Sequence, residues 1–300
     1  MKLAVGPILY LWEHSAVLEF YASLCDAPVD IVYLGETVCS KRRLLSREDW
    51  PMVARTLIAA GKEVVFSTLA LIEAESELAT LARILDEAHG MFEANDYAAV
   101  DCAAGRPFVA GPHLNVYNKE TLELLARRGA RRWVSPVELP LTTVATLAAT
   151  RPANLEIEMF AYGRLPLAFS ARCFTARAHN RPKDDCGFIC ADYPDGITLY
   201  SRENQPFLTL NGIQTQSASM QNLHARVDAL RTAGVNVLRL SPQSHDFIAV
   251  AHAFHHAVNA TGSQQPVPEP FLPGGYCDGY LDGAAGIARA AHAPRPQQST

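Results

Sequence analysis

Three cysteines stand close together in one irregular stretch of the sequence, and cysteine thiolates are soft ligands for metals. Cys173, Cys186 and Cys190 are separated by twelve and by three residues. Cys39 lies far away, just after a β-branched run, and is the natural choice for a fourth ligand. Four thiolates suit zinc or an iron–sulfur cluster. The sequence therefore predicts a metal centre whose ligands are Cys39, Cys173, Cys186 and Cys190.

The spacing of these thiols bears on which group they hold. Zinc sites favour two tight pairs of thiols, whereas here one pair, Cys186 and Cys190, stands with two distant single cysteines. This spacing favours a 4Fe–4S cluster, whose corners lie further apart than the ligands of one ion, and zinc remains the alternative. Surrounding basic residues are expected to lower the pKa of the thiols and to offset the charge of a thiolate-bound cluster. They are Lys41, Arg42, Arg43, Arg172, Arg177, Arg181 and Lys183.

The remaining three cysteines are weaker candidates for metal ligands. Cys25 ends an apolar helical stretch and Cys102 follows Ala-Val-Asp, so both are expected to be buried as small apolar residues. Cys277, in Gly-Gly-Tyr-Cys-Asp-Gly-Tyr, is ambiguous between core packing and a spare ligand.

The elements that must carry the four cysteines alternate between short strands and longer helices. Eight strands are predicted: Lys2–Gly6, Asp30–Gly35, Glu63–Thr68, Met91–Ala94, Pro107–Gly111, Arg132–Ser135, Asn154–Tyr162 and Val235–Leu240. Seven helices are predicted: His14–Cys25, Arg47–Ala60, Leu71–Ala88, Asn118–Arg128, Leu141–Thr150, Gln221–Ala233 and Asp246–Asn259. This α/β alternation predicts a (β/α)₈ TIM-barrel-like fold, with a doubly wound sheet as the alternative.

An insertion interrupts the alternation after the seventh strand. It covers residues 170–216, includes two short predicted strands, Ile197–Tyr200 and Phe207–Leu210, and carries three of the four cysteines. In a barrel the ends of the second and seventh strands open onto the same face, so Cys39 can share a rim with the insertion. We expect one barrel domain over residues 1–283, with the cluster-binding insertion at 170–216, and a flexible tail over 284–300.

Composition and charge exclude several classes of protein. Apolar residues make up 49% of the chain and charged residues 19%, which is typical of a globular protein. The formal net charge is −5, so no basic excess indicates nucleic-acid binding. No apolar run reaches the roughly 18 residues needed to span a bilayer, and Met1–Glu13 lacks the features of a secretory signal. We therefore expect a cytoplasmic protein without a membrane span.

Two glutamates stand two residues apart in the predicted seventh strand. Glu156 and Glu158 share one face of that strand, and Ile157 and Met159 share the other. The apolar pair is expected to pack against helices, which turns both glutamates toward the barrel interior. A carboxylate buried there needs a partner or a raised pKa.

Several segments resemble the UbiV family of ubiquinone-biosynthesis proteins, over roughly residues 3–283. They include Val32-Tyr-Leu-Gly-Glu-Thr-Val-Cys-Ser, Leu165-Pro-Leu-Ala-Phe-Ser-Ala-Arg-Cys, Arg181-Pro-Lys-Asp-Asp-Cys and Leu210-Asn-Gly-Ile-Gln-Thr. This family is a branch of the collagenase-like U-type peptidase superfamily, family thirty-two. Five residues fit the superfamily signature: Glu158, Phe160, Gly163, Leu165 and Cys173. Arg164, Pro166 and Ala171 replace its small residue, its first cysteine and its later glycine, which implies a changed site.

The resemblance implies a specific biochemical role. It implies a 4Fe–4S cluster on Cys39, Cys173, Cys186 and Cys190, and a heterodimer with a UbiU-like protein. The pair would act as an oxygen-independent hydroxylase of the ubiquinone ring in anaerobic bacteria. Further implied partners are a UbiT-like lipid-binding protein, a ubiquinone precursor and an organic oxygen donor such as prephenate. Two alternatives are a peptidase of the parent family and a non-catalytic scaffold that carries the cluster.

Overall fold

Short runs of apolar residues form eight parallel strands, and these strands close into a ring. The computed structural model describes residues 1–87, 90–259 and 266–289. In chain order the barrel strands are β1 (Lys2–Val5), β2 (Ile31–Leu34), β3 (Glu63–Ser67), β4 (Phe92–Ala94), β5 (Phe108–Ala110), β6 (Ala130–Val134), β7 (Glu156–Phe169) and β11 (Val237–Leu240). Each strand pairs in parallel with the next, and β11 pairs with both β7 and β1. This closure confirms the predicted (β/α)₈ TIM-barrel-like fold, including all eight predicted strands, and excludes a doubly wound sheet.

Helices follow most barrel strands and cover the outside of the ring. They are α1 (His14–Ser23), α2 (Asp49–Ala59), α3 (Glu75–Glu87), α4 (Tyr97–Cys102), α5 (Lys119–Arg128), α6 (Leu141–Thr150), α8 (Val227–Thr232) and α9 (Phe247–Asn259). A short helix, α7 (Phe174–Ala178), lies in the insertion. None of these described helices is long and apolar enough to cross a membrane.

Two predicted helices need correction, and one further helix was missed. The helix predicted at Gln221–Ala233 runs only over α8, because Gln221 and Asn222 extend a strand hydrogen-bonded to β7. Helix α3 begins four residues after the predicted Leu71, where the carboxylate of Glu77 accepts from the backbone N–H groups of Glu73 and Ala74. Helix α4 was not predicted. It is a six-residue helix, and the carboxylate of Asp96 caps it by accepting from the backbone N–H of Ala98.

Side chains alternate between the inside of the ring and the helix layer, as the period of a strand requires. An inner cluster fills the barrel with Ala4, Ile31, Tyr33, Val65, Val109, Val134 and Val237. Ile157 and Met159 belong to the main apolar core outside the ring, whereas the side chain of Glu158 lies buried inside it. Glu156 is the first residue of β7, and its side chain stays partly exposed.

Buried charges cross the barrel interior and bind one another. The carboxylate of Glu158 accepts from Arg239 Nε at 2.5 Å and from the Tyr33 hydroxyl at 2.6 Å. A second nitrogen of Arg239, Nη1, lies 2.7 Å from the carboxylate of Glu93. Burial disfavours the charge of Arg239, but Glu158 and Glu93 hold the pKa of its guanidinium well above the usual range. Arg132, also buried, contacts Glu158 and binds Glu156 more closely.

The insertion forms an antiparallel extension of the barrel sheet. The second half of β7 continues past the ring and pairs with β10 (Gln214–Asn222), which pairs in turn with β9 (Pro206–Asn211) and β9 with β8 (Ile197–Tyr200). The two predicted strands of the insertion are β8 and β9. Strand β10 was not predicted, because most of its buried side chains are polar.

The C-terminal segment lies against this extension. β12 (Tyr276–Cys277) pairs in parallel with β10. The backbone N–H groups of Asp278 and Gly279 donate to the carbonyl of Ala288, so residues up to 289 turn back on this segment. The part of the expected flexible tail from residue 290 onward lies outside the described residues.

Removing a member of the interior network should destabilise the barrel. Glu158→Ala leaves the buried Arg239 guanidinium without its nearest carboxylate, and breaking a buried ion pair costs about 3–5 kcal/mol. We expect a loss of about that size in the free energy of unfolding, measured by urea denaturation. Glu123→Ala is the control, because its exposed pair with Lys119 on α5 should contribute about 1 kcal/mol or less. Equal losses for the two variants would contradict this account.

Candidate metal centre

The four predicted cysteines line one cavity. Cys39, Cys173, Cys186 and Cys190 surround a space of about 360 Å³, including its open mouth, between the loop after β2 and the insertion. The other lining residues are Lys41, Arg42, Thr175, Lys183, Phe188, Ile189 and Gly212. Over residues 1–87, 90–259 and 266–289, no three His, Cys, Asp or Glu side chains are placed to hold a metal ion as the structure stands. The thiols therefore border a cavity instead of meeting at one point.

Cys39 is held by a hydrogen-bonded turn that follows β2. The carboxylate of Glu36 accepts from the backbone N–H groups of Val38 and Cys39, at 2.8 and 3.0 Å. Gly35 has a φ of +114°, and a Cβ there would lie 2.7 Å from the carbonyl oxygen of Ser67. Only glycine fits this close approach, so the sequence Gly-Glu-Thr-Val-Cys fixes where the Cys39 thiol stands.

Cys173 precedes the first turn of α7. Its sulfur accepts from the N–H of Ala176 at 3.4 Å. The next residue, Phe174, donates its backbone N–H to the carbonyl of Gly212, and the Thr175 hydroxyl accepts from the Gly212 N–H. The turn between β9 and β10 thus anchors the start of α7, and Cys173 with it.

Cys186 and Cys190 lie at the two ends of a tight turn. The residues between them include Gly187 and Phe188, both in the left-handed region with φ of +59° and +52°. This conformation is rare for a bulky residue, and the phenyl ring of Phe188 is left 47% exposed. The turn brings the two thiols to the same cavity.

Arg42 is a buried cation beside the thiols. Its side chain is only 3% exposed, and it donates to the carbonyl of Leu9 at 2.7 Å and to the Asn211 side-chain oxygen at 2.8 Å. Both partners are uncharged. Within the described part of the chain, no carboxylate oxygen lies within 4 Å of the Arg42 guanidinium. A Cβ on Gly212 would lie 2.7 Å from its Nη2, so glycine makes room for this group.

Burial controls the protonation of the thiols. It raises the pKa of Cys39, Cys173 and Cys190 above the usual value, although Arg42 acts in the opposite direction on all three. Arg42 thus acts on the three thiols in the predicted direction, but desolvation outweighs its charge, so their net pKa is raised and not lowered. A metal that binds here must displace thiol protons.

Lys41 joins the loop of Cys39 to the insertion, and Lys183 joins the insertion to the segment before α3. Lys41 Nζ lies 2.8 Å from the carboxylate of Asp184 and 3.1 Å from the carbonyl oxygen of Lys183. Lys183 in turn binds the carboxylate of Glu73 and the carbonyl of Ala171. Such partly exposed ion pairs contribute little stability individually. The contacts of Lys41 hold the loop of Cys39 against the cysteine-bearing insertion.

Arg164 has a role that the sequence did not reveal. It is buried and donates to the carbonyls of Ala218 and Asp195 and to the Thr198 hydroxyl. Arg164 stands where the superfamily signature has a small residue, and it ties strand β8 and the loop before it to the barrel. Pro166, in place of the first signature cysteine, lines a separate cavity at the barrel mouth.

The other three cysteines lie away from the lining of the four-cysteine cavity. Cys25 is partly buried, but Cys102 is exposed, so its predicted burial is wrong. Helix α4 is too short to bury its last residue and buries Ala99 and Val100 instead. Cys277 is buried in an apolar cluster with Phe160 and other residues, and burial raises the pKa of its thiol to about 12.

Comparisons with known proteins identify the family. Residues 17–270 match the model of peptidase family U32. Among solved structures, the chain is similar to a U32 peptidase at 12% identity, with a TM-score of 0.45, covering 81% of this chain and 93% of that chain. It is also similar to a 3-hexulose-6-phosphate synthase at 13% identity, with a TM-score of 0.44, covering 86% of this chain and 100% of that chain. A third similar structure is a phospho-2-dehydro-3-deoxyheptonate aldolase from Thermotoga maritima, at 10% identity and with a TM-score of 0.43. The match covers 86% of this chain and 68% of that chain.

The family model spans most of the sequence, including the barrel strands from β2 to β11 and the whole insertion. This chain belongs to peptidase family U32.

Proposed function

We propose that this chain holds a 4Fe–4S cluster on Cys39, Cys173, Cys186 and Cys190. With a UbiU-like partner, it acts in oxygen-independent hydroxylation of the ubiquinone ring. One observation carries the cluster assignment: the four thiols line a single cavity together with the guanidinium of Arg42, a buried cation whose two hydrogen-bonded oxygen partners are neutral.

Charge supports an anionic occupant of this cavity. A buried charge that is poorly compensated is costly. Burial raises the pKa of the nearby Glu36 carboxyl and Arg42 lowers it, so Glu36 compensates Arg42 only in part. Protonated thiols add no negative charge beside Arg42. Thiolates around an iron–sulfur cluster carry net negative charge, which would compensate the guanidinium. The amine of Lys41 adds positive charge at the rim of the cavity.

The form of the cavity favours a cluster over a single zinc ion. Zinc binds each sulfur at about 2.3 Å and needs four ligands that converge on one point. The four thiols instead border an open space between the loop after β2 and the insertion. A polynuclear group with separated corners matches that arrangement better.

The residues of this chain have distinct tasks around such a group. A bound 4Fe–4S cluster supplies one-electron chemistry. Arg42 and the Ala176 N–H, which donates toward Cys173, provide positive charge and a hydrogen bond that stabilise thiolate ligands. Phe188 and Ile189 border the cavity with apolar surface and limit the access of water.

The partners in this proposal follow from the resemblance to the UbiV family. They are a UbiU-like protein, a UbiT-like lipid-binding protein, a ubiquinone precursor and an organic oxygen donor such as prephenate. Apolar side chains exposed on the insertion offer a surface for a protein partner: Phe188, Leu199, Tyr200 and Phe207. A peptidase has less support, since Pro166 replaces the first signature cysteine. A non-catalytic scaffold would use the same four ligands, with the cluster only stabilising the complex.

Substitution of single cysteines tests the ligand set. Replacing Cys39, Cys173, Cys186 or Cys190 by Ala should remove most of the iron and acid-labile sulfide from anaerobically purified protein, because it leaves one iron of the cluster without its thiolate and makes the cluster labile. Cys25→Ala and Cys102→Ala are the controls and should keep the wild-type content. Full iron content in Cys39→Ala would contradict the assignment of the fourth ligand.

A second prediction concerns the buried cation. Arg42→Met removes the positive charge beside Cys190, so the bound cluster should release iron to a chelator several-fold faster under anaerobic conditions. Arg43→Met is the matched control, because Arg43 is the exposed neighbour of Arg42. Circular dichroism checks that both variants are folded. Iron release from Arg42→Met at the wild-type rate would show that the guanidinium does not compensate a cluster.

A further inference from the structure

The turn between β9 and β10 supplies the side chain that holds Arg42 from the insertion. Asn211 ends β9, and its side chain is only 2% exposed. Gly212, the next residue, lines the four-cysteine cavity, whereas Asn211 is not among the lining residues. Asn211 therefore lies behind Arg42, one residue away from the cavity, where it can act on the thiols only through another group.

The amide of Asn211 joins Arg42 to the barrel by three hydrogen bonds. Its Oδ1 accepts from Arg42 Nη2 at 2.8 Å, and its Nδ2 donates to the carbonyl of Leu9 at 2.8 Å and to Gln214 Oε1 at 3.1 Å. The same Leu9 carbonyl accepts from Arg42 Nη1 at 2.7 Å. A guanidinium only donates and a carbonyl only accepts. The residue between them must therefore do both, as an amide does.

Aspartate has nearly the same shape as asparagine, but it would change the charge and lose a hydrogen bond. An ionised carboxylate only accepts, so at position 211 it would face the Leu9 carbonyl without a proton to donate. It would also place a counter-ion directly against Arg42. Asn211 instead fixes the guanidinium without neutralising it, and Glu36 compensates that charge only in part.

Arg42 is placed to act on negative charge at the sulfurs. It lines the same cavity as the four thiols. Burial raises the pKa of the Cys190 thiol, and the charge of Arg42 is the largest effect that opposes this. A 4Fe–4S cluster becomes more negative when it is reduced, and its reduction potential depends on the charge around it. A fixed cation therefore stabilises the reduced cluster more than the oxidised cluster.

We propose that Asn211 is a positioning residue that holds Arg42 beside the cluster and thereby raises the reduction potential of the cluster. This inference rests on the proposed 4Fe–4S cluster and assigns a role to a residue that is not a ligand. In the couple concerned, the cluster gains one electron from a reductant, and the guanidinium keeps its protons. Loss of the amide frees the guanidinium to move away from the sulfurs, so the reduced cluster loses part of its stabilisation.

A double-mutant cycle on the full-length protein, loaded with iron and sulfide, tests this role. Asn211→Leu is nearly isosteric and removes the three hydrogen bonds without adding charge. It should lower the equilibrium constant for one-electron reduction about ten-fold, which is a fall of about 59 mV in the midpoint potential. Arg42→Met should lower the potential at least as far. In the Arg42→Met background, Asn211→Leu should change little, because it acts through the guanidinium. Anaerobic redox titration followed by electron paramagnetic resonance gives each potential.

A matched control makes the same exchange of amide for leucine elsewhere in the insertion. Gln205→Leu lies in the exposed turn before β9 and should leave the potential unchanged. Iron and sulfide content shows whether each variant is loaded, and Asn211→Ala replaces Asn211→Leu in the cycle if the leucine variant does not load.

Two results would overturn the role of Asn211 while leaving the cluster in place. One is an unchanged potential in the loaded Asn211 variant. The other is an equal fall with and without Arg42, which would show a general structural effect. A wild-type protein without a reducible cluster would instead contradict the proposed function itself, and the role of Asn211 with it.

Discussion

The buried guanidinium of Arg42 is the group on which the arrangement of the site depends. It follows Cys39 by three residues, donates to Leu9 in the segment after β1, and donates to Asn211 at the end of β9. It therefore joins the barrel rim to the insertion at the point where the four thiols come together. Its two hydrogen-bonded partners are neutral, and the nearby Glu36 carboxyl compensates its charge only in part. Negative charge in the cavity would add a closer match. We infer that the thiolates of a bound cluster provide that match.

A separate set of charges holds the barrel itself. Glu158, Arg239 and Tyr33 bind one another inside the ring and occupy space that apolar side chains fill elsewhere in the interior. Arg239 serves two places, since its Nε and Nη1 are paired with carboxylates while its Nη2 remains free at the barrel mouth. The barrel mouth and the four-cysteine cavity thus differ in their electrostatics. At the four-cysteine cavity the direct partners of the Arg42 guanidinium are neutral oxygens, whereas at the barrel mouth the Arg239 guanidinium contacts two carboxylates.

The barrel could be predicted from the sequence because its strands are short apolar runs between helices with an apolar period. Strand β10 could not, because its buried side chains include Gln214, Gln216 and Ser217, whose polarity is typical of a loop. The grouping of Cys39 with the insertion followed from barrel topology. The raised pKa of the thiols could not be predicted from the sequence, since it depends on burial. The sequence also could not distinguish Arg42 from its neighbours Lys41 and Arg43, because the contacts with Leu9 and Asn211 are made across the fold.

The most direct test of the central claim is the metal and sulfide content of the anaerobically purified protein, read together with its electron paramagnetic resonance spectrum. A 4Fe–4S cluster predicts about four iron and four sulfide per chain, and a spectrum that changes on reduction with dithionite. One zinc per chain without inorganic sulfide would contradict the cluster and leave the four cysteines as a single-ion site. Protein that binds neither metal after reconstitution with iron and sulfide would contradict the metal centre itself.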